Sequence, residues 1–99
     1  MKVTFTARHF TASDDLKEYA INSVVKLNKY FDHISSVEII LEPTQEVTKP
    51  QSAEIKVSVP GTLLTTSQES KTYEQAVHDA IDNLSRQLRR YKEKRFSKH

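Results

Sequence analysis

The last fourteen residues of this 99-residue chain, RQLRRYKEKRFSKH, hold Arg86, Arg89, Arg90, Lys92, Lys94, Arg95 and Lys98 against one carboxylate, Glu93. That stretch carries +6, the preceding 85 residues carry −4, and the formal net charge of +2 hides the separation. Charge segregated in this way creates a local potential that attracts a polyanion. Arginine is prominent in it, and the planar guanidinium fork matches phosphate bidentately. Nucleic acid is therefore the first candidate partner. The plain alternative is a solvated helix end, since cations complement the carbonyl end of a helix dipole whatever the function.

Other side chains with chemical potential do not assemble into sites. His9, His33, His78 and His99 lack the i, i+4 or short-loop spacing that converges ligands on a metal, and the chain has no cysteine to help them. Asp79 and Asp82 share a helical flank, yet Asp82 stands four residues before Arg86, the spacing of a surface ion pair. A small hydrolase using His78 with Asp79 or Asp82 would lack a nucleophile and an oxyanion feature. Ser13 reads as a helix cap, and Ser85 has no base that the sequence nominates. No catalytic residue, cofactor or metal is expected, and the protein reads as a non-enzyme.

The length supports one domain, expected over residues 1–95, with 96–99 as a flexible C-terminal end. Absence of cysteine excludes disulfides and thiolate zinc sites, and the single glycine, Gly61, excludes a phosphate-cradling glycine-rich loop. No apolar run approaches the length of a membrane span, and the alternating MKVTFTARHF is not a signal-peptide core, so a cytoplasmic protein without membrane contact is expected.

Alternation and helical spacing then supply the elements that must position the basic set. Lys2 to Arg8 alternates as a half-buried strand, with Val3, Phe5 and Ala7 on one side. Ser13 before Asp14 and Asp15 predicts a capped helix start. The core stripe of that helix is predicted as Leu16, Tyr19, Ala20, Val24, Leu27, Tyr30 and Phe31, with Lys26 on its flank. Val37 to Glu42 reads as a strand with some hydrophobic character on both faces, Pro43 to Pro50 as a loop, and Ala53 to Val59 as a strand joined through Pro60-Gly61 to another from Thr62 to Gln68. The final helix is predicted from about Thr72 to about Lys92, with Tyr73, Val77, Ala80, Ile81, Leu84, Leu88 and Tyr91 on one face. The fold class is α+β, a β-α-β-β-β-α two-layer sandwich in which a four-stranded sheet carries both helices on one face.

Within that arrangement Arg86, Arg89, Arg90, Lys92, Lys94 and Arg95 project away from the apolar stripe, and Lys26 and Lys29 lie at the corresponding late position of the first helix. Side by side, the two C-terminal halves would form one basic surface able to reach phosphates. Neither helix reads as a helix-turn-helix, zinc finger or basic zipper, and the aromatics Tyr19, Tyr30, Phe31, Tyr73 and Tyr91 are expected mostly in the core. Recognition of structured RNA through shape and phosphates is the expectation.

Two stretches add a resemblance to these readings. FTARHFTASDDLKEYAINSVVKLNKYFDHI at residues 5–34 and AVHDAIDNLSRQLRRYKEK at Ala76 to Lys94 resemble the ribosome hibernation-promoting factor and ribosome-associated inhibitor family. The resemblance covers both helices and the first strand. It implies a translation inhibitor of stress and stationary phase that binds the small ribosomal subunit and its rRNA at the decoding region and sterically blocks mRNA and tRNA. Carried over by position, it implies RNA contacts from Lys26, Lys29, Arg86, Arg89, Arg90, Lys92 and Lys94. His78 and Asn83 depart from the acidic residue and the lysine that family members often carry there. The stop at His99, without an acidic tail or a second domain, resembles the short hibernation-promoting form. That form implies a monomer when free, and a separate ribosome modulation factor as a further partner in ribosome dimers. The alternative from another class is a basic module that binds an acidic protein partner.

Overall fold

Ser13 shows how closely local chemistry sets the first boundary. Its backbone is extended, and its Oγ accepts the Leu16 N–H at 3.1 Å while Asp14 and Asp15 occupy the first helical turn. The computed structural model describes residues 1–96, the last by its backbone alone. Its elements are β1 (Lys2–Ala7), α1 (Asp14–Val25) continued by a 3-10 turn (Lys26–Lys29), β2 (Ser36–Pro43), β3 (Gln51–Val59), β4 (Thr62–Ser70) and α2 (Tyr73–Phe96). This is the expected β-α-β-β-β-α order.

The strands lie in sequence order across one four-stranded sheet. β1 and β2 are parallel, with Phe5 opposite Ile39, and the β2–β3 and β3–β4 pairs are antiparallel. Parallel neighbours need a crossover, which α1 provides. The β3–β4 pair closes through Pro60-Gly61, where Gly61 takes a φ of 83° that a side chain would strain. A second left-handed residue, His9 at φ 66°, redirects the chain after β1 toward the Ser13 cap.

Direction follows from this topology. β4 is parallel to β1, and each helix returns against the strand before it, so α1 and α2 point the same way. The Tyr73 N–H, at the start of α2, donates to Gln51 Oε1 at 2.7 Å where β3 begins. Tyr91 Oη, near its end, donates to the Pro60 carbonyl at 2.6 Å at the opposite pole.

Between the layers, Val37, Ile39, Leu41, Ala53, Ile55 and Val57 of the sheet meet Leu16, Ala20, Val24 and Leu27 of the first helical segment and Val77, Ala80, Leu84 and Leu88 of α2. Ser23 and Ser85 are buried too, with their hydroxyls satisfied within their own helices on the carbonyls of Tyr19 and Asp82. Ile40 is enclosed although the pleat points it to the other side of the sheet, in keeping with a strand of some hydrophobic character on both faces.

Three expectations need revision. Tyr19 and Tyr30 are not core residues: 38 % and 40 % of their surfaces are exposed. Tyr19 falls at the edge of the apolar arc, and the tighter 3-10 turn at Lys26–Lys29 rotates Tyr30 out of register with the preceding α-helix. α2 also runs one turn past Lys92, to Phe96, its start held by Thr72 Oγ1 accepting the Gln75 N–H at 3.1 Å. Of the flexible end expected at 96–99, Phe96 is described by its backbone alone and 97–99 lie outside the described residues.

Leu84, wholly buried against the sheet, should lower stability by about 2 to 5 kcal/mol when changed to Ala, as read from denaturant unfolding. Tyr73 stacks on Phe10 with ring centroids 4.4 Å apart, and burial, reinforced by the Glu42 carboxylate, pushes its phenol above the ordinary value of 10.0. The unfolded chain then loses this proton first, so this residue's contribution is intact below pH 10 and declines as pH rises from there through the raised folded value. Unfolding midpoints measured across that range should fall less in Tyr73→Phe, which keeps the stacked ring, than in the parent protein.

Candidate nucleic-acid interface

Parallel helices bring their carbonyl ends to one pole, and the basic residues collect there. Lys26 and Lys29 sit on the 3-10 turn that finishes the first helix. Lys92 reaches across from α2, its Nζ 3.4 Å from the Tyr30 carbonyl, which brings its charge beside the other helix end. Arg86, Arg90 and Lys94 follow one another at four-residue steps along the outer side of α2, and Arg89 lies beside them. All seven residues implied as RNA contacts are exposed, and all belong to the C-terminal parts of the two helical segments. The cations also complement the partial negative charge of both helix ends.

Exposure alone does not make these cations equivalent. Arg86 is bound to Asp82, with Nη1 and Oδ2 3.1 Å apart, as their spacing predicted. Lys26, Lys29, Arg89, Arg90 and Lys94 form no ion pair among the described residues. Their charge is available to phosphate oxygens without first breaking an internal pair. Arg95 is engaged over the Tyr91 ring, 6.0 Å from its centroid.

Two hollows flank the basic end of α2. A cleft of about 280 Å³ separates the 3-10 turn from α2 and is lined by residues including Asn28, Lys29, Tyr30, Asp32, His33 and Lys92. Behind it, Phe31 is buried and meets His33 and Tyr91 edge to face, at 5.4 and 5.3 Å. A shallower groove of about 430 Å³ lies over β4, between Leu64 and the side chains of Asn83, Gln87, Arg90, Tyr91 and Lys94. There Gln87 Nε2 donates to the Thr65 carbonyl at 2.9 Å and to Asn83 Oδ1 at 2.7 Å, occupying one carbonyl of the exposed β4 edge.

Sequence reasoning named the cations but missed the rest of the lining. Asn28, Tyr30 and His33 look unremarkable in the chain, and only the rotation introduced by the 3-10 turn brings them to the same opening as Lys92. Gln87 and Asn83 carried a signal in their four-residue spacing, which places them on one helical flank. His78 and Asp79, considered for catalysis, are 3.7 Å apart, and Asp79 accepts from Gln75 Nε2 at 2.9 Å. Neither lines the two hollows beside α2. Among the described residues, no group of three His, Cys, Asp or Glu side chains could hold a metal ion.

A two-layer sandwich with a cationic pole formed by two parallel helix ends defines the class of protein. The profile described as Sigma 54 modulation protein / S30EA ribosomal protein matches residues 3–95, and the chain belongs to that family. Among similar proteins, the ribosome hibernation promoting factor of Escherichia coli strain K12 is 30 % identical over 94 residues, covering 95 % of this chain and 96 % of that protein. A protein of the same name from Pseudomonas putida KT2440 is 26 % identical over 97 residues, or 98 % of this chain and 92 % of that one. The solved N-terminal domain of Thermus thermophilus Protein Y superposes with a TM-score of 0.78 at 25 % identity, covering 92 % of this chain and 99 % of its own. A ribosomal subunit interface protein from Coxiella burnetii shares the fold with a TM-score of 0.84 at 24 % identity, over 93 % of this chain and 98 % of its own.

The Asp82–Arg86 pair predicts a gain from removing a carboxylate. Asp82→Asn should raise affinity for RNA by up to roughly fivefold at low salt, the scale of an exposed ion pair, and steepen the salt dependence. Filter binding at two ionic strengths measures both.

Proposed function

We propose that this protein is a non-enzymatic, cytoplasmic ribosome hibernation factor whose basic pole binds small-subunit rRNA at the decoding region and excludes mRNA and tRNA by occupying their space. The observation that carries this reading is the convergence of Lys26, Lys29, Arg89, Arg90 and Lys94, without internal ion pairs among the described residues, on one rigid end of the fold. Membership of the S30EA family and the names of the relatives supply the ribosome as the RNA's setting. Inhibition then requires no bond to be made or broken. Helices packed on one core can fill a channel with little backbone freedom to lose on binding.

Sedimentation through sucrose gradients tests the reading. The protein should travel with small subunits, and with ribosomes from stationary-phase cells, at moderate salt. Addition of a separate modulation factor tests whether dimers form. A second reading, an acidic protein partner for the same cations, is distinguished by ribonuclease, since an association that survives complete RNA removal would favour it.

Charge reversal of Arg86, Arg89 and Arg90 to Glu should abolish co-sedimentation while leaving the thermal unfolding midpoint within a few degrees of the parent, because all three side chains are exposed. Affinity of the parent for small subunits should fall with salt at a log-log slope of roughly −0.7 to −0.9 per phosphate neutralised. Loss of folding in the triple variant would show that these arginines support the core instead.

A further inference from the structure

The cleft between the 3-10 turn and α2 has a lining that phosphate binding alone does not explain. Lys29 and Lys92 supply positive charge at it, but Asp32 lines it too, and a carboxylate repels a bare phosphate. Asp32 is exposed, with the exposed His33 Nε2 3.4 Å from its Oδ1, so its oxygens keep acceptor capacity. Asn28 adds an amide that both donates and accepts. Tyr30, 40 % exposed, and His33 bring aromatic rings to the same opening. Two cations, a carboxylate, an amide and two rings around about 280 Å³ form a mixed set suited to a ligand with an anionic group, a planar ring and hydrogen-bond donors.

We propose that this cleft takes one unpaired nucleotide of the bound RNA, with guanine fitting best. The inference rests on the RNA-binding reading given above and adds a base-reading site to it. The nucleotide's phosphate lies toward Lys29 and Lys92, and its base stacks on Tyr30 or His33, an interaction open to any base because each has a π-face. Asp32 accepts from the Watson–Crick edge of the base. Guanine presents two adjacent donors there, N1–H and the N2 amino group, and so satisfies both carboxylate oxygens, whereas cytosine and adenine offer an amino group alone. A paired base has that edge occupied, so the site selects an extruded or single-stranded residue. Lys92 Nζ lies 3.4 Å from the Tyr30 carbonyl, so its charge sits at the opening.

Asp32→Asn separates base reading from general electrostatics. Removal of a negative charge should strengthen binding to every RNA if charge alone matters, whereas a base contact makes the same change erase discrimination. The probes are five RNA hairpins of equal length and phosphate count, one fully paired and four with a single unpaired G, A, C or U, titrated by fluorescence anisotropy with the full chain. The parent protein should prefer the unpaired-G hairpin over the paired one by roughly tenfold or more, the scale of one bidentate base contact. Asp32→Asn should lose that preference while binding the paired hairpin at least as well, and Tyr30→Ala should weaken all four unpaired hairpins together. Equal affinity of the parent for the five hairpins, or an undiminished guanine preference in Asp32→Asn, overturns the proposal. If small subunits are still bound, only this inference falls; if they are not, the RNA-binding reading falls with it.

Discussion

The parallel alignment of α1 and α2 is the constraint on which the rest of the structure depends. It arises because β1 and β2 are parallel while two antiparallel steps return β4 to the same direction, so each helix runs back against its preceding strand. Had the sheet contained one antiparallel step fewer, the two carbonyl ends would lie at opposite poles. Instead they lie together, and the shared core of Leu16, Ala20, Val24, Leu27, Val77, Ala80, Leu84 and Leu88 fixes their relation. Two helix ends with negative partial charge at one place favour cations there, and the sequence supplies more of them than the dipoles require.

The opposite pole carries the complement. Asp14, Asp15 and Glu74 stand in the first turns of the two helices, where exposed N–H groups favour carboxylates. Charge is therefore ordered along a body whose longest extent is 48 Å, with each sign stabilising the helix terminus it occupies. The same placement would serve the proposed recognition, since an electric dipole of this kind turns the cationic end toward a polyanion during approach. Stability and the proposed binding do not conflict because the core draws on the other face of each helix: Leu84 and Leu88 are wholly buried while Arg86, Arg89 and Arg90 remain in solvent.

Much of this was legible in the chain because periodicity reports burial directly. The alternation of Ala53, Ile55, Val57 and Val59 marked a strand, Pro60-Gly61 marked its turn, and the spacing of Val77, Ala80, Leu84 and Leu88 marked the apolar stripe of α2. Asp82 and Arg86 were identifiable as partners from spacing alone. What was not legible depended on departures from regular geometry. An ideal helix through Lys26–Lys29 would have carried Tyr30 toward the core, whereas the 3-10 turn exposes it beside Asn28 and His33. The left-handed His9 and the Gln87 contact with the β4 edge likewise depend on tertiary neighbours that no local pattern encodes.

Cryo-electron microscopy of ribosomes incubated with the protein tests the role of the cationic pole most directly. The expected density places the C-terminal ends of both helices against small-subunit rRNA in the decoding region, with the outer face of the sheet turned away. Density elsewhere on the particle, or with the outer face of the sheet against RNA and Lys26, Lys29, Arg89 and Arg90 in solvent, would contradict it.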